Sequence, residues 1–191
     1  MSRRKPRVQY TLDLGNIKKL SDEEIRAILR AADELIATGG RNMLVKILKG
    51  SKDKKVLDYG LQDCPAYGFY NELTMEKISY RVDWMIQKDY LRIDYNGRLP
   101  MLIFSEKGWE IERETFAEEL FQRFCQDVEG KKAIVVFEMK DVNRQVVFDV
   151  LEKIRSTGDV DFIPLLEAWK AMEVHKVSER IGDVIKTLKM Y

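Results

Sequence analysis

The chain has little of what the commonest enzyme classes use. Among 191 residues there is one histidine, His175, and there are two cysteines, Cys64 and Cys125. Two cysteines so far apart build neither a disulfide framework nor a zinc site of the usual spacing, so a reducing, cytoplasmic setting is expected. One histidine cannot complete a usual zinc set with them. His175 reads as part of a helix–helix connection, and both thiols read as buried or idle. No run of about 18 apolar residues exists to span a bilayer. The basic start "MSRRKPR" is not followed by an apolar segment, so it does not read as a secretory signal. No Gly-x-x-x-x-Gly-Lys-Ser/Thr loop is present to cradle a nucleotide triphosphate. The acids at 22–24 and 110–119 read as solvated helix faces, and no nucleophile stands beside a base. An enzyme is therefore the least expected class, and no cofactor or metal is expected.

What is present is charge, and it is sorted. The hydrophobic fraction of 45% can fill a core, and the charged fraction of 34% suits a soluble, helix-rich protein. The net charge is only +1, yet residues 1–55 carry 14 Lys/Arg against 7 Asp/Glu. Residues 106–129 reverse this, with 8 acids and 3 bases. Such a basic front end can meet an anion such as nucleic acid, whereas the acidic stretch cannot share that surface. The densest part is 41–55, where Arg41, Lys46, Lys49, Lys52, Lys54 and Lys55 face one acid, Asp53.

Residues 1–20 read as a basic tail, mobile at its start. Ser21 and Glu24 form a capping box, with Leu20 and Ile25 placed for a hydrophobic staple. A first helix follows and is expected to end at Gly39-Gly40. A second spans about 41–49 and stops at Gly50. The stretch to Tyr70 reads as a loop with one short helix. A third helix covers about 74–90, capped by Thr74, with Ile78, Val82, Met85 and Ile86 on its buried stripe. Lys77, Arg81, Trp84 and Lys88 share a neighbouring face. The period then changes to 2. Leu91, Ile93 and Tyr95 mark a strand, Asn96-Gly97 a type I′ turn, and 99–105 the returning strand. Pro100 lacks an N–H, so this strand is expected at an edge. An acidic helix runs through Gln126.

Three helices followed by a hairpin describe a mostly α fold with a small β-wing, a winged helix-turn-helix over 21–116. Residues 117–191 read as a small helical module. One helix ends at Gly158-Asp159, another starts near Pro164 and a third covers about 177–188. The piece "GDVDFIPLLEAWKAMEVHKVSERIGDVIKTL" loosely resembles one HEAT-type helical repeat.

Residues 38–112 resemble the RQC domain, the winged-helix module of RecQ-family DNA helicases. Three segments carry the likeness, in order: "GGRNMLVKILKGSKDKKV", "YGFYNELTMEKISYRVDWMIQKDYLRI" and "MLIFSEKGWEI". The resemblance implies a domain that grips duplex DNA through its phosphates and, in the helicases, helps part strands at a junction. It places Lys49, Gly50 and Ser51 at the phosphate-contacting helix end, with Lys52, Lys54 and Lys55 in the same loop. Lys77 and Arg81 fall on the recognition helix, and Asn96–Leu99 at the wing tip. Arg41 opens the basic segment and joins the candidate DNA-binding set. Some relatives carry an aromatic wedge at the wing tip. Here Arg98 and Leu99 stand there, Arg98 suited to a phosphate and Leu99 able to wedge.

The chain opens with Met1 and reads as complete, and many RecQ helicases have a four-cysteine zinc cluster that this sequence lacks. The expectation is a non-enzymatic, cytoplasmic DNA-binding protein that contacts duplex or branched DNA in repair, recombination or replication. A second expectation is an adaptor whose helical tail docks a helicase or nuclease. A third is a winged-helix transcriptional regulator, which would dimerise on two half-sites.

Overall fold

The computed structural model describes residues 11–190. It divides into two compact units, residues 1–112 and 113–191. The first unit is a winged helix. Helix α1, Asp22–Asp33, starts at the expected capping box: Ser21 Oγ accepts from the Glu24 N–H at 3.2 Å, and the Glu24 carboxylate accepts from the Ser21 N–H at 2.9 Å. Leu20 and Ile25 are both buried beside it.

The helix does not continue to Gly39-Gly40. It stops at Asp33, and Ala37 takes a φ of +58°. The competing partner is a strand. The Ala37 N–H donates to the Leu102 carbonyl and the Leu102 N–H to the Gly39 carbonyl, each at 2.9 Å. Residues 37–39 thus lie along the second wing strand and satisfy backbone groups that a longer helix would have left open. The edge inferred from Pro100 is therefore partly covered.

Helix α2, Arg41–Lys49, ends at Gly50 with φ +73°. The Ser51 N–H reaches the Lys46 carbonyl and the Gly50 N–H the Ile47 carbonyl, both at 2.9 Å, closing a Schellman-type cap. Helix α3, Lys54–Asp58, is capped by Asp53, and a single 3₁₀ turn follows at Leu61–Asp63. Helix α4, Met75–Gln87, begins at Thr74 as the sequence indicates. Ile78, Val82 and Met85 are fully buried in the core, where α4 packs on α2, with Ile86 only half-buried.

Strands β1, Leu91–Asn96, and β2, Leu99–Phe104, form the antiparallel wing, with Leu91 opposite Phe104 and Asn96 opposite Leu99. The turn is shifted by one residue from expectation. Asn96 is paired, Gly97-Arg98 makes the loop, and of the two only Gly97 has a positive φ, +63°. A type I′ turn needs positive φ at both loop positions, whereas type II′ needs glycine at the first alone.

Helix α5, Glu106–Glu129, runs three residues past the expected end. Ser105 is buried at its start, and its Oγ accepts from the Gly108 N–H at 3.0 Å. A Cβ at position 108 would lie 2.0 Å from the Tyr90 carbonyl oxygen, so only glycine lets α5 pass the end of α4.

The expected basic tail divides. Residues 1–10 lie outside the described residues. Residues 11–20 are a strap on α4: the Asp13 N–H donates to Asp83 Oδ2 at 2.9 Å, Gly15 abuts the Tyr80 ring, and the Lys18 carbonyl accepts from Trp84 Nε1 at 3.4 Å. Apolar Leu14 and Ile17 hold this strap to the core.

The second unit is helical. Ala117, Leu120 and Phe124 of α5 are buried at helical spacing. After a short helix α6, Val135–Glu138, helix α7 spans Arg144–Thr157, capped by Asn143 and stopped by Gly158. Helices α8, Ile163–Lys170, and α9, His175–Leu188, pack with one another, and α7 packs on α9. Trp169 is fully buried 5.1 Å from Phe124 and donates to Glu173 at 2.8 Å. His175 was expected in a connection and instead opens α9, because Val174 takes the extended N-cap conformation.

Candidate nucleic-acid interface

The loop after α2 keeps its charge for solvent. Lys52, Lys54 and Lys55 are exposed, and none forms an ion pair among the described residues. The one acid between them is already occupied. Lys46 Nζ donates to Asp53 Oδ2 at 2.8 Å and the Lys55 N–H to Asp53 Oδ1 at 3.0 Å. The Lys46 hydrogen bond, with help from the Lys55 N–H, holds the Asp53 carboxyl below its ordinary range. Asp53 thus stays ionised as a helix cap while Lys46 offsets its charge, and the three outer lysines set the sign of the surface.

Gly50 is required twice at this corner. Its φ is left-handed, and a Cβ there would come within 3.1 Å of Gly68 Cα. The segment around Gly68 buttresses the helix end, with the Gly68 and Tyr70 N–H groups donating to the Ile47 and Leu48 carbonyls at 2.9 and 2.8 Å. Lys49 bends back to the Asn71 carbonyl. Ser51 does not offer its backbone N–H, which is spent on Lys46. Its Oγ accepts from the Asp53 N–H at 3.2 Å and its carbonyl accepts from the Tyr67 hydroxyl at 3.1 Å. The Ser51 hydroxyl can still donate outward.

Two of the three arginines in the candidate set, Arg41 and Arg81, turn inward. Arg41 meets Asp83, which is fully buried, through Nε and Nη2 (2.6 Å from Nη2 to Oδ2), and it also reaches Ser79 Oγ. With the Asp13 N–H this surrounds the Asp83 carboxylate with donors. Arg81 Nε donates to Glu24 at 3.1 Å and Nη1 to the Lys77 carbonyl at 3.0 Å, with its guanidinium 5.2 Å from the Tyr70 ring centroid. Tyr70 completes the cluster by donating to Glu24 at 3.0 Å. Burial on its own would raise the Glu24 pKa. The donors Ser21 N–H, Tyr70 and Arg81 outweigh it and hold the carboxyl below its ordinary value. Burial and the Glu24 charge push the Tyr70 phenol well above its own.

Trp84 is core, stacked 5.8 Å from Tyr90, so the face with Lys77 and Lys88 is not built around an exposed indole. Lys77 is exposed at the start of α4, and Arg98 and Leu99 are exposed at the wing tip, Leu99 to 66%. Lys49 to Lys55 are therefore brought together at one corner, while Lys77 and the wing pair stand on separate elements. The residue that the sequence reading missed is Asp83. Its signal was an acid set inside the apolar run Val82–Met85.

Among the described residues, no group of three or more His, Cys, Asp or Glu side chains is placed to hold a metal ion, and no helix is long and apolar enough to cross a membrane. Neither cysteine is in a disulfide; Cys64 is buried, with its thiol 4.0 Å from the Arg30 carbonyl, and Cys125 is half-buried.

The RQC domain family model matches residues 18–124. The ATP-dependent DNA helicase RecQ of Bacillus subtilis (strain 168) is 36% identical over 69 residues. That match covers 36% of this chain and 12% of the helicase. No solved structure matches the chain.

Proposed function

The chain belongs to the RQC family, and on that premise we propose that its winged helix grips duplex or branched DNA through the phosphate backbone. The observation that carries this is the α2–α3 corner. Three exposed lysines stand within the four residues 52–55, around an acid that Lys46 already offsets. Each Lys–phosphate contact releases condensed counterions, so affinity should fall steeply with salt. Lys49 and the Ser51 hydroxyl flank the corner and can orient a phosphate without reading bases. Arg98 adds a cation at the wing, and Leu99 beside it can press on a base pair. The named relative is a DNA helicase, and the reading gives this chain the DNA grip without the motor: a non-enzymatic part in DNA repair, recombination or replication. Two cysteines outside any disulfide suit a cytoplasmic setting. We place the domain limits at 21–116 for the winged helix and 117–191 for the helical module.

A second role is supported by the helical module, which we read as HEAT-like. Ile134 and Phe137 are 57% and 66% exposed there. Paired apolar side chains three residues apart suit recruitment of a protein such as a helicase or nuclease.

Fluorescence anisotropy tests the DNA grip. Labelled blunt duplex, forked duplex and single strand are titrated at three salt concentrations with the parent and with the triple variant K52A/K54A/K55A. The parent should bind duplex and fork with a steep salt slope. In the variant the log–log slope should be shallower by about 3, at about 0.9 per lost contact. A variant that binds like the parent removes this surface from the account.

A further inference from the structure

One aromatic side chain beside the lysine corner has no structural employment. Tyr59 caps the C-terminal end of α3 and is 72% exposed. The hydroxyls of Tyr67, Tyr70 and Tyr80 donate to Ser51, Glu24 and Glu76. The Tyr59 hydroxyl has no such partner among the described residues. Phe69, the next exposed aromatic in this part of the fold, packs edge-on against Tyr70 at 4.7 Å. The Tyr59 ring makes no comparable contact.

Its position gives the ring a use. The Tyr59 N–H donates to the Lys55 carbonyl at 3.3 Å, so the two residues lie one helical turn apart on the same side of α3. Side chains so spaced have Cβ atoms about 5–6 Å apart. That is the scale separating a phosphate from its own base. Asp58 precedes the tyrosine and disfavours a second phosphate there, so the ring acts through its face and not through charge. In a duplex each base is already stacked on both sides, whereas an unpaired base has a free face and stacks readily on an aromatic ring.

We propose that Tyr59 is a stacking platform for an unpaired base next to the duplex held by Lys52, Lys54 and Lys55. The domain is then selective for DNA carrying a single-stranded extension over blunt duplex, and this selectivity is set outside the wing. The inference rests on the phosphate-binding reading above.

The test uses the full chain, with anisotropy on blunt duplex and on the same duplex carrying a short oligo-dT extension. A second readout is 2-aminopurine placed at the first unpaired position, whose fluorescence is quenched by stacking. The parent should bind the extended duplex more tightly and quench the probe. Tyr59→Ala should lose about fivefold or more of the affinity for extended DNA, the lower end of what one base–aromatic stack contributes. Its blunt-duplex affinity and circular dichroism should match the parent's, and Tyr59→Trp should restore both tail preference and quenching. A parent that binds blunt duplex without gain from the extension overturns the inference alone. So does a Tyr59→Ala variant that keeps the gain, or one that loses blunt duplex equally. A parent that binds no duplex at low salt overturns the phosphate reading itself, and the platform falls with it.

Discussion

The corner after α2 and the exposed side of α4 look alike in sequence, since each carries several cations near a helix end. In the fold they do opposite work. Lysines 52, 54 and 55 face solvent around an acid that is already offset, whereas Arg41 and Arg81 are bound to Asp83 and Glu24. The chemistry of the side chains explains the division. A guanidinium is a planar fork that is weakly hydrated and fits a carboxylate, so it can be taken inside. An ammonium is strongly hydrated and stays in water unless held by geometry. Positive charge in this winged helix is thus not one pool: Arg41 and Arg81 pin α1, α2 and α4 together, and Lys52, Lys54 and Lys55 remain exposed.

The sharpest way to break this contrast is at Arg41. Asp83 is wholly buried and Arg41 is half-buried above it. Replacing Arg41 with Ala strands a buried carboxylate, which costs about 3–5 kcal/mol. Urea denaturation should show a loss of that order, and the fraction still folded should bind duplex with the parent's salt slope. A variant of parental stability with a shallower slope would move Arg41 to the DNA surface.

The Glu24–Arg81–Tyr70 cluster should give a smaller effect, with a pH signature. The native Glu24 pKa lies below its ordinary value of 4.5. The ionised carboxylate therefore stabilises the fold above that value, and the contribution disappears as pH falls through the lower native pKa. Gln can keep the capping role at this position, so Glu24→Gln removes mainly the ionic part. Partial exposure screens that part to about 1 kcal/mol. Parent and variant stabilities should differ at neutral pH and converge well below pH 4.5. A constant difference across the acid range would assign the loss to packing.

Several element starts and stops that the fold uses were legible as local signals. Ser21 with Glu24, Thr74, Gly50 and Gly158 cap helices through neighbours within five residues, so no knowledge of the fold was needed to place them. What escaped was long-range. The early end of α1 depends on Leu102, far along the chain, and the strap at 11–20 depends on Asp83 and Trp84. Of the site, the lysine corner was readable as a charge cluster at a helix stop. The inward turn of Arg41 was not, because its partner lies 42 residues away in the sequence. The wing turn escaped for a subtler reason. Asn96-Gly97 and Gly97-Arg98 both satisfy hairpin chemistry, and the register that pairs Asn96 with Leu99 selects the second.

The mildest prediction sharpens the comparison at single charges. If the corner holds DNA and α4 does not, Lys52→Ala and Lys54→Ala should each reduce the salt slope by about 1, while Lys77→Ala should leave it nearly unchanged. Lys77 is exposed like the other two, so exposure alone does not separate them. Its surroundings do. Glu76 adjoins it in the first turn of α4, and Glu72 is exposed just before the Thr74 cap. Acids on both sides cancel a lone lysine's field and would repel a phosphate brought to it, whereas the corner's one acid is already offset by Lys46. Anisotropy on one duplex at three salt concentrations ranks the three variants directly. Equal losses from Lys77 and from the corner would lay α4 against the DNA, and the division between structural and ligand-facing cations would have to be drawn between arginine and lysine alone, not between the two regions.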